Sequence, residues 1–317
     1  MDEFAVIDGR RVNLGVAARD FKYYIFDWDD NILHMPTRIY MEKLDEDGRW
    51  VPTSVSTGTF ALVRSDEARY RLPLVGGREA AFRDFQDDPD AETADSAFIR
   101  DTRAALARVA AGEPAGPSFK TLRKTLREGR IFAIVTARGH ASETIRDAVR
   151  IFIDTVLTPD EREEMMTNLR GYRHCFDKVD RFGTDEEELD YFLSMCRYHA
   201  VTNPGFFEQM KSDGDFGGRY AEASSAERPE LAKEFAIRDF VEHVFHVLKR
   251  TGGLGRPVSV GFSDDDAGNV KAVSDYIRCE LVKRFKGFKF VVYDTSDASL
   301  DNGRKVTVAG QLTLPGF

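Results

Sequence analysis

The sequence predicts an α/β fold, a Rossmann-like parallel sheet with helices on both faces, interrupted by two insertions. Three observations predict it. The runs FKYYIF (21–26), IFAIV (131–135), VSVGF (258–262) and FKFVVY (288–293) are almost unbroken apolar stretches, the pattern of strands buried on both faces. Segments with helical period alternate with them, which implies parallel strands joined by covering helices. The chain has 317 residues, 42% of them hydrophobic and 24 of them phenylalanine, enough for one sizeable core plus added material.

Taken in order, the first strand (21–26) runs straight into acidic residues. Residues 36–75 hold the β-rich pieces TRIYMEKL, GRWVPTSVS and TFALVRS between DEDG and STG turns, so a small antiparallel element is expected there. The acidic run 87–95 reads as a solvated linker. Before IFAIV, Phe119, Leu122 and Leu126 share one helix face and Gly129 ends it. After it, Ile145, Ala148, Val149 and Phe152 recur at helical spacing, whereas residues 155–230 are polar and mostly helical. Residues 234–249 carry a wide apolar face (Phe235, Ile237, Phe240, Val241, Val244, Phe245, Leu248), and Val270, Val273, Ile277 and Leu281 form another helix after VSVGF. The expected core is 1–35, 95–155 and 231–317, with a β-rich insertion at 36–94 and a mainly helical one at 156–230.

The formal net charge of −9 disfavours a long nucleic acid as partner, because such proteins neutralise phosphates with a positive stripe. The one basic stretch, KTLRKTLREGR (120–130), reads as the solvated face of a helix. No apolar run approaches the roughly 20 residues of a membrane helix. The start MDEFAVIDGR lacks the pattern of a signal peptide. Cys175, Cys196 and Cys279, odd in number and without paired spacing, argue against a disulfide framework. A cytoplasmic protein is the expectation; the oligomeric state is left open.

The chemistry concentrates at the strand ends. Asp27 and Asp29 follow the first strand, where α/β sheets bind ligands. Carboxylates at i and i+2 just past a strand can share one small volume. One can attack phosphorus while the other gives a proton to the leaving oxygen. Thr136 closes IFAIV and offers a hydroxyl to a phosphoryl oxygen. Arg138 follows it with a planar guanidinium suited to phosphate. Lys233 stands at the start of the long amphipathic helix, where it could hold a phosphate and orient Asp27. VSVGF leads into Ser263-Asp264-Asp265-Asp266, an oxygen-rich cluster suited to Mg²⁺.

This order of strand-DxD, strand-Thr, helix-start Lys and strand-DD resembles the four motifs of the haloacid dehalogenase (HAD) superfamily, in a phosphatase-type member. The resemblance implies a phospho-aspartate on Asp27, with Asp29 as general acid and then base. It implies Thr136 and Lys233 as phosphoryl clamps. Mg²⁺ would be held by Asp27, the Asp29 backbone carbonyl and one fourth-motif acid, with Asp264 and Asp265 aligned to that motif and Asp266 in reserve. The expected substrate is a small phosphomonoester. Asn31 stands where such proteins carry Thr or Val, Phe262 follows Gly261 where Asp is frequent, and Lys178 and Lys211 compete with Lys233. The presence of Asp29 argues against dehalogenation. The separations of 109 residues from Asp27 to Thr136 and 97 from Thr136 to Lys233 exceed what a core needs, and in similar proteins insertions at these points form caps. Two competing readings are a phosphatase for polynucleotide ends and a binding or regulatory module without turnover.

Other patterns carry less. His243 and His246 lie at i, i+3 without a third metal ligand in view. His174-Cys175 and Cys196-x-x-His199 read as ordinary helix residues rather than a zinc site. No P-loop spacing is present.

Overall fold

The computed structural model describes residues 3–88, 96–177, 182–224, 227–297 and 299–310. It begins with a hairpin of β1 (Phe4–Ile7) and β2 (Arg10–Asn13). The central sheet comprises β3 (Phe21–Phe26), β7 (Phe132–Thr136), β8 (Arg197–Ala200), β9 (Val258–Asp264), β10 (Phe288–Asp294) and β11 (Arg304–Ala309). Their spatial order is β11-β10-β9-β3-β7-β8. Neighbours from β10 through β8 pair in parallel, whereas β11 is antiparallel to β10. The sheet is therefore mixed and mostly parallel, in an α/β chain.

Alternation along each strand divides the hydrophobic core into two layers. On one face Tyr23, Ile25, Val135, Val260 and Phe290 pack with the helix Arg228–Thr251 through Phe235, Phe240, Val241 and Val244. On the other face Phe26, Phe132, Ile134 and Tyr198 pack with helices Ala97–Ala110, Phe119–Arg127, Ser142–Val156, Pro159–Tyr172 and Asp185–Met195. Gly252, at φ 75°, ends the long helix in the left-handed region that glycine adopts without strain.

Three local expectations change. The stretch TFALVRS is a short helix, Thr57–Val63, instead of a strand. Ser56 caps it through Thr59 N–H, and Phe60 and Val63 pack on the buried Ile39, Met41, Val55 and Ala81. Beside it, β4 (Ile39–Leu44) lies between β5 (Trp50–Val55) and β6 (Tyr70–Arg71) in the expected antiparallel element. Second, the mainly helical stretch 156–230 also supplies β8, so the central sheet draws one edge from it. Third, Asp87 is no solvated linker. Its carboxylate accepts from Ala141 N–H (2.6 Å) and the Thr144 hydroxyl (3.0 Å), capping the helix Ser142–Val156. Residues 89–95 of that acidic run lie outside the described residues.

The basic stretch 120–130 is covered by acids. Lys120 pairs with Asp301 (2.6 Å), Arg123 with Glu161 (2.7 Å), Arg127 with Glu164 (3.3 Å), and Arg130 with Glu128. No helix among the described residues is long and apolar enough to cross a membrane.

Phe240 is fully buried between the sheet and its helix. Phe240→Ala is expected to cost about 3–5 kcal/mol, read as a lower urea midpoint with an unchanged slope.

Candidate active site

Strands β9, β3 and β7 lie side by side and parallel, so their carboxyl ends open along one rim of the sheet. Asp27 and Asp29 follow β3, Thr136 ends β7, and Asp264 ends β9. The turn after β3 is tight. Asp30 sits at φ 55°, a left-handed conformation that Asp tolerates, and the N–H groups of Ile32 and Leu33 both return to the Trp28 carbonyl.

Asn31 fastens this turn to β9. Its buried amide donates to the Asp27 carbonyl (2.9 Å) and to the Ser263 hydroxyl (3.1 Å), while its oxygen accepts from Thr295 (2.9 Å). The Asp27 N–H also donates to the Ser263 carbonyl at 3.0 Å. A threonine could not bridge so many partners, because a hydroxyl has a single donor. In the sequence Asn31 stands out only as a departure. Its function depends on Thr295 and Ser263, which are remote in sequence.

Lys233 reaches the rim from the second turn of its helix. Its ammonium donates to Asp27 Oδ1 (3.2 Å) and Asp264 Oδ2 (2.6 Å), and all three residues are buried. Lys211, one competitor, is instead paired with Glu208 at 2.6 Å. Lys178 lies outside the described residues. Burial raises the Asp27 carboxyl well above the usual carboxylate range; Lys233 opposes this, and Asp264, Asp265 and Asp29 add to it. Burial works against the Lys233 charge, but Asp264 and Asp27 reverse that and raise its pKa above the ordinary value. Asp265 is pushed up to about 8 by burial and then by Asp264 and Asp30. Asp266 is occupied elsewhere, capping the helix Ala267–Tyr276 through Asn269 N–H (3.0 Å).

A second cluster forms around Asp29. Arg138 grips it with a fork, Nε to Oδ2 at 2.8 Å and Nη2 to Oδ1 at 2.6 Å. The Thr136 hydroxyl donates to the same Oδ2 at 3.3 Å. Arg138 is 1% exposed and packs over the rings of Phe85 and Phe98, 4.6 and 5.0 Å from their centroids. Its Nη2 also donates to Thr37 (2.7 Å), which bonds Asp101. Thus the structure joins Thr136 and Arg138 to Asp29, and Lys233 to Asp27 and Asp264. Trp28, between the two acids in sequence, is fully buried 5.6 Å from Phe98.

The β-rich insertion is tied to these loops directly. The Thr57 hydroxyl donates to Asp30 (2.9 Å), Gly139 N–H to the Phe85 carbonyl (2.7 Å), and His140 lies 3.0 Å from Asp87.

Compared with known protein families, with curated proteins and with solved structures, the chain matches none. The chemistry of the site therefore rests on its own residues. Two buried carboxyl groups share one ammonium, with Asp265 beside them, so the donor set is all oxygen and its acids outnumber its one cation. That set fits a hard divalent cation. Among the described residues no group of three or more His, Cys, Asp or Glu side chains is gathered for a metal. A cation would therefore rest on one or two carboxylates with backbone or solvent oxygen, which is how Mg²⁺ is commonly bound.

The remaining histidines and cysteines have other surroundings. His243 Nε2 donates to the Met195 carbonyl (2.8 Å) and Nδ1 accepts from Arg197 (2.6 Å), an arrangement for a neutral ring. Burial, then Arg197, lowers its pKa to about 4. His199 pairs with Asp239 (3.1 Å), Cys196 is buried in the core, and His174 is exposed.

Two outcomes follow. Lys233→Met leaves two buried carboxylates without their cation, so stability should fall by about 3–5 kcal/mol in urea denaturation at neutral pH. For His243 the folded pKa lies below the ordinary 6.5. Its contribution is therefore complete above pH 6.5 and is lost as pH falls toward 4. Urea midpoints of His243→Gln should fall less steeply over that window than those of the wild type.

Proposed function

We propose that this chain is a Mg²⁺-dependent phosphohydrolase of HAD type, with a Rossmann-like core, that cleaves a small phosphomonoester through a phospho-aspartate on Asp27. The observation that carries the reading is the Asp27–Lys233–Asp264 cluster. A carboxylate at a strand end is held by a buried ammonium beside a second strand-end acid, with Asp29 two residues on. Lys233 keeps Asp27 fixed and supplies positive charge where phosphoryl oxygens gather. Asp27 attacks phosphorus, and the bond to the leaving oxygen breaks as Asp29 donates its proton there. Asp29 then takes a proton from water, which attacks the phosphorus of the acyl phosphate and frees Asp27 and inorganic phosphate. Thr136 and Arg138 hold the Asp29 carboxylate from behind. Mg²⁺, held by Asp27, the Asp29 carbonyl and Asp264 or Asp265, would neutralise charge on the transferred group. The β-rich insertion acts as a cap, since it is bonded to both loops that carry the chemistry. The acids that cover the 120–130 stretch favour a small substrate over a polynucleotide end.

The test is phosphate release from p-nitrophenyl phosphate and a panel of small phosphoesters, with and without Mg²⁺. Wild type should hydrolyse at least one of them only with the metal, and Asp27→Asn should abolish turnover while folding normally. Activity that survives in Asp27→Asn would overturn the nucleophile. An inert wild type, tested also on a phosphorylated oligonucleotide, would favour a binding module.

A further inference from the structure

The fork on Asp29 assigns Arg138 a task other than gripping substrate. Each carboxylate oxygen can accept two hydrogen bonds. Asp29 Oδ2 accepts from both Arg138 Nε and the Thr136 hydroxyl, whereas Oδ1 accepts from Arg138 Nη2. Oδ1 is thus the oxygen with room for a proton in transit. Arg138 in turn is held by the insertion. Phe85 covers one side of the guanidinium and Thr37 anchors Nη2. Both belong to the segment that follows the Asp29 turn and precedes the helix Ala97–Ala110. A fully buried, planar group with these contacts has little freedom to swing toward a ligand.

We propose that Arg138 is a positioning residue. It fixes Asp29 so that Oδ1 passes the proton, and it makes that alignment depend on the seating of the insertion through Thr37 and Phe85. This inference rests on the phosphohydrolase reading and deepens it. The step concerned is the first: a bond forms between Asp27 and phosphorus, the bond from phosphorus to the leaving oxygen breaks, and the Asp29 proton moves to that oxygen. Leaving groups differ in their need for that proton. An alkoxide needs it, whereas p-nitrophenolate departs with little help. General-acid assistance is worth roughly 10²–10⁴-fold.

The experiment compares kcat/KM for p-nitrophenyl phosphate and for glycerol phosphate, because this ratio covers the steps through formation of the phospho-aspartate. Arg138→Lys keeps the charge but loses the planar fork. It is expected to lower kcat/KM for glycerol phosphate about 100-fold more than for p-nitrophenyl phosphate. In an Asp29→Asn background the same substitution should add no further selectivity. Thr37→Val and Phe85→Leu, which leave Arg138 in place, should give the same selective loss at about fivefold. They carry the test if Arg138→Lys does not fold. Equal losses on both substrates would overturn the proposal and return Arg138 to direct phosphate contact. A wild type inert toward every phosphoester would instead remove the phosphohydrolase reading, and this inference with it.

Discussion

The sharing of the Lys233 ammonium between Asp27 and Asp264 is the interaction on which the rest of the molecule depends. Removing an ion from water costs several kcal/mol even after relaxation, and here three charged side chains are buried together. The arrangement persists only if the helix Arg228–Thr251 is seated against the sheet to within a fraction of an ångström. That seating comes from its apolar face, where Leu231, Phe235, Phe240, Val241, Val244 and Leu248 are buried. Each such side chain contributes on the order of 1.5–3 kcal/mol of transfer free energy. The hydrophobic layer thus offsets the burial of the charges, and the charges in turn fix the rotation of the helix about its axis.

A second layer of constraint sits beneath the first. Asn31 and the Asp27 N–H bind the turn after β3 to β9, so the backbone positions of Asp27 and Asp264 cannot drift apart. On the other side, Arg138 links the Asp29 carboxylate to Thr37 and to the aromatic pair Phe85 and Phe98. One acid is positioned through the core and the other through the insertion. The two carboxylates, though only two residues apart, therefore answer to different parts of the chain.

Much of this was legible in the sequence, for identifiable reasons. Strands β3, β7, β9 and β10 are largely buried on both faces, so each leaves an almost unbroken apolar run. Thr136 and Asp264 could be placed because they end such runs. The edge strand β8, RYHA, is short and half polar, and nothing in it separates strand from helix end. The seven residues Thr57–Val63 are too few for periodicity to decide, and their helix is set by the Ser56 cap and by packing. Arg138 stands out in the sequence by its place after Thr136 but its partner does not, since a side chain's direction depends on Phe85 and Phe98, which arrive from other segments. In the sequence Asn31 and Asp87 look like a departure and a linker because their partners, Thr295, Ala141 and Thr144, lie far along the chain.

The chain has two tryptophans, and their surroundings make them separate optical probes. Trp28 is sealed beneath the acids against Phe98, so its emission belongs to an apolar setting. Trp50, on β5 of the insertion, has the Arg71 guanidinium 4.2 Å from its ring centroid, a neighbour that polarises the excited indole. The molecule thus carries one native chromophore in the turn between Asp27 and Asp29 and another in the β-rich insertion. Their fluorescence can be followed separately without any label.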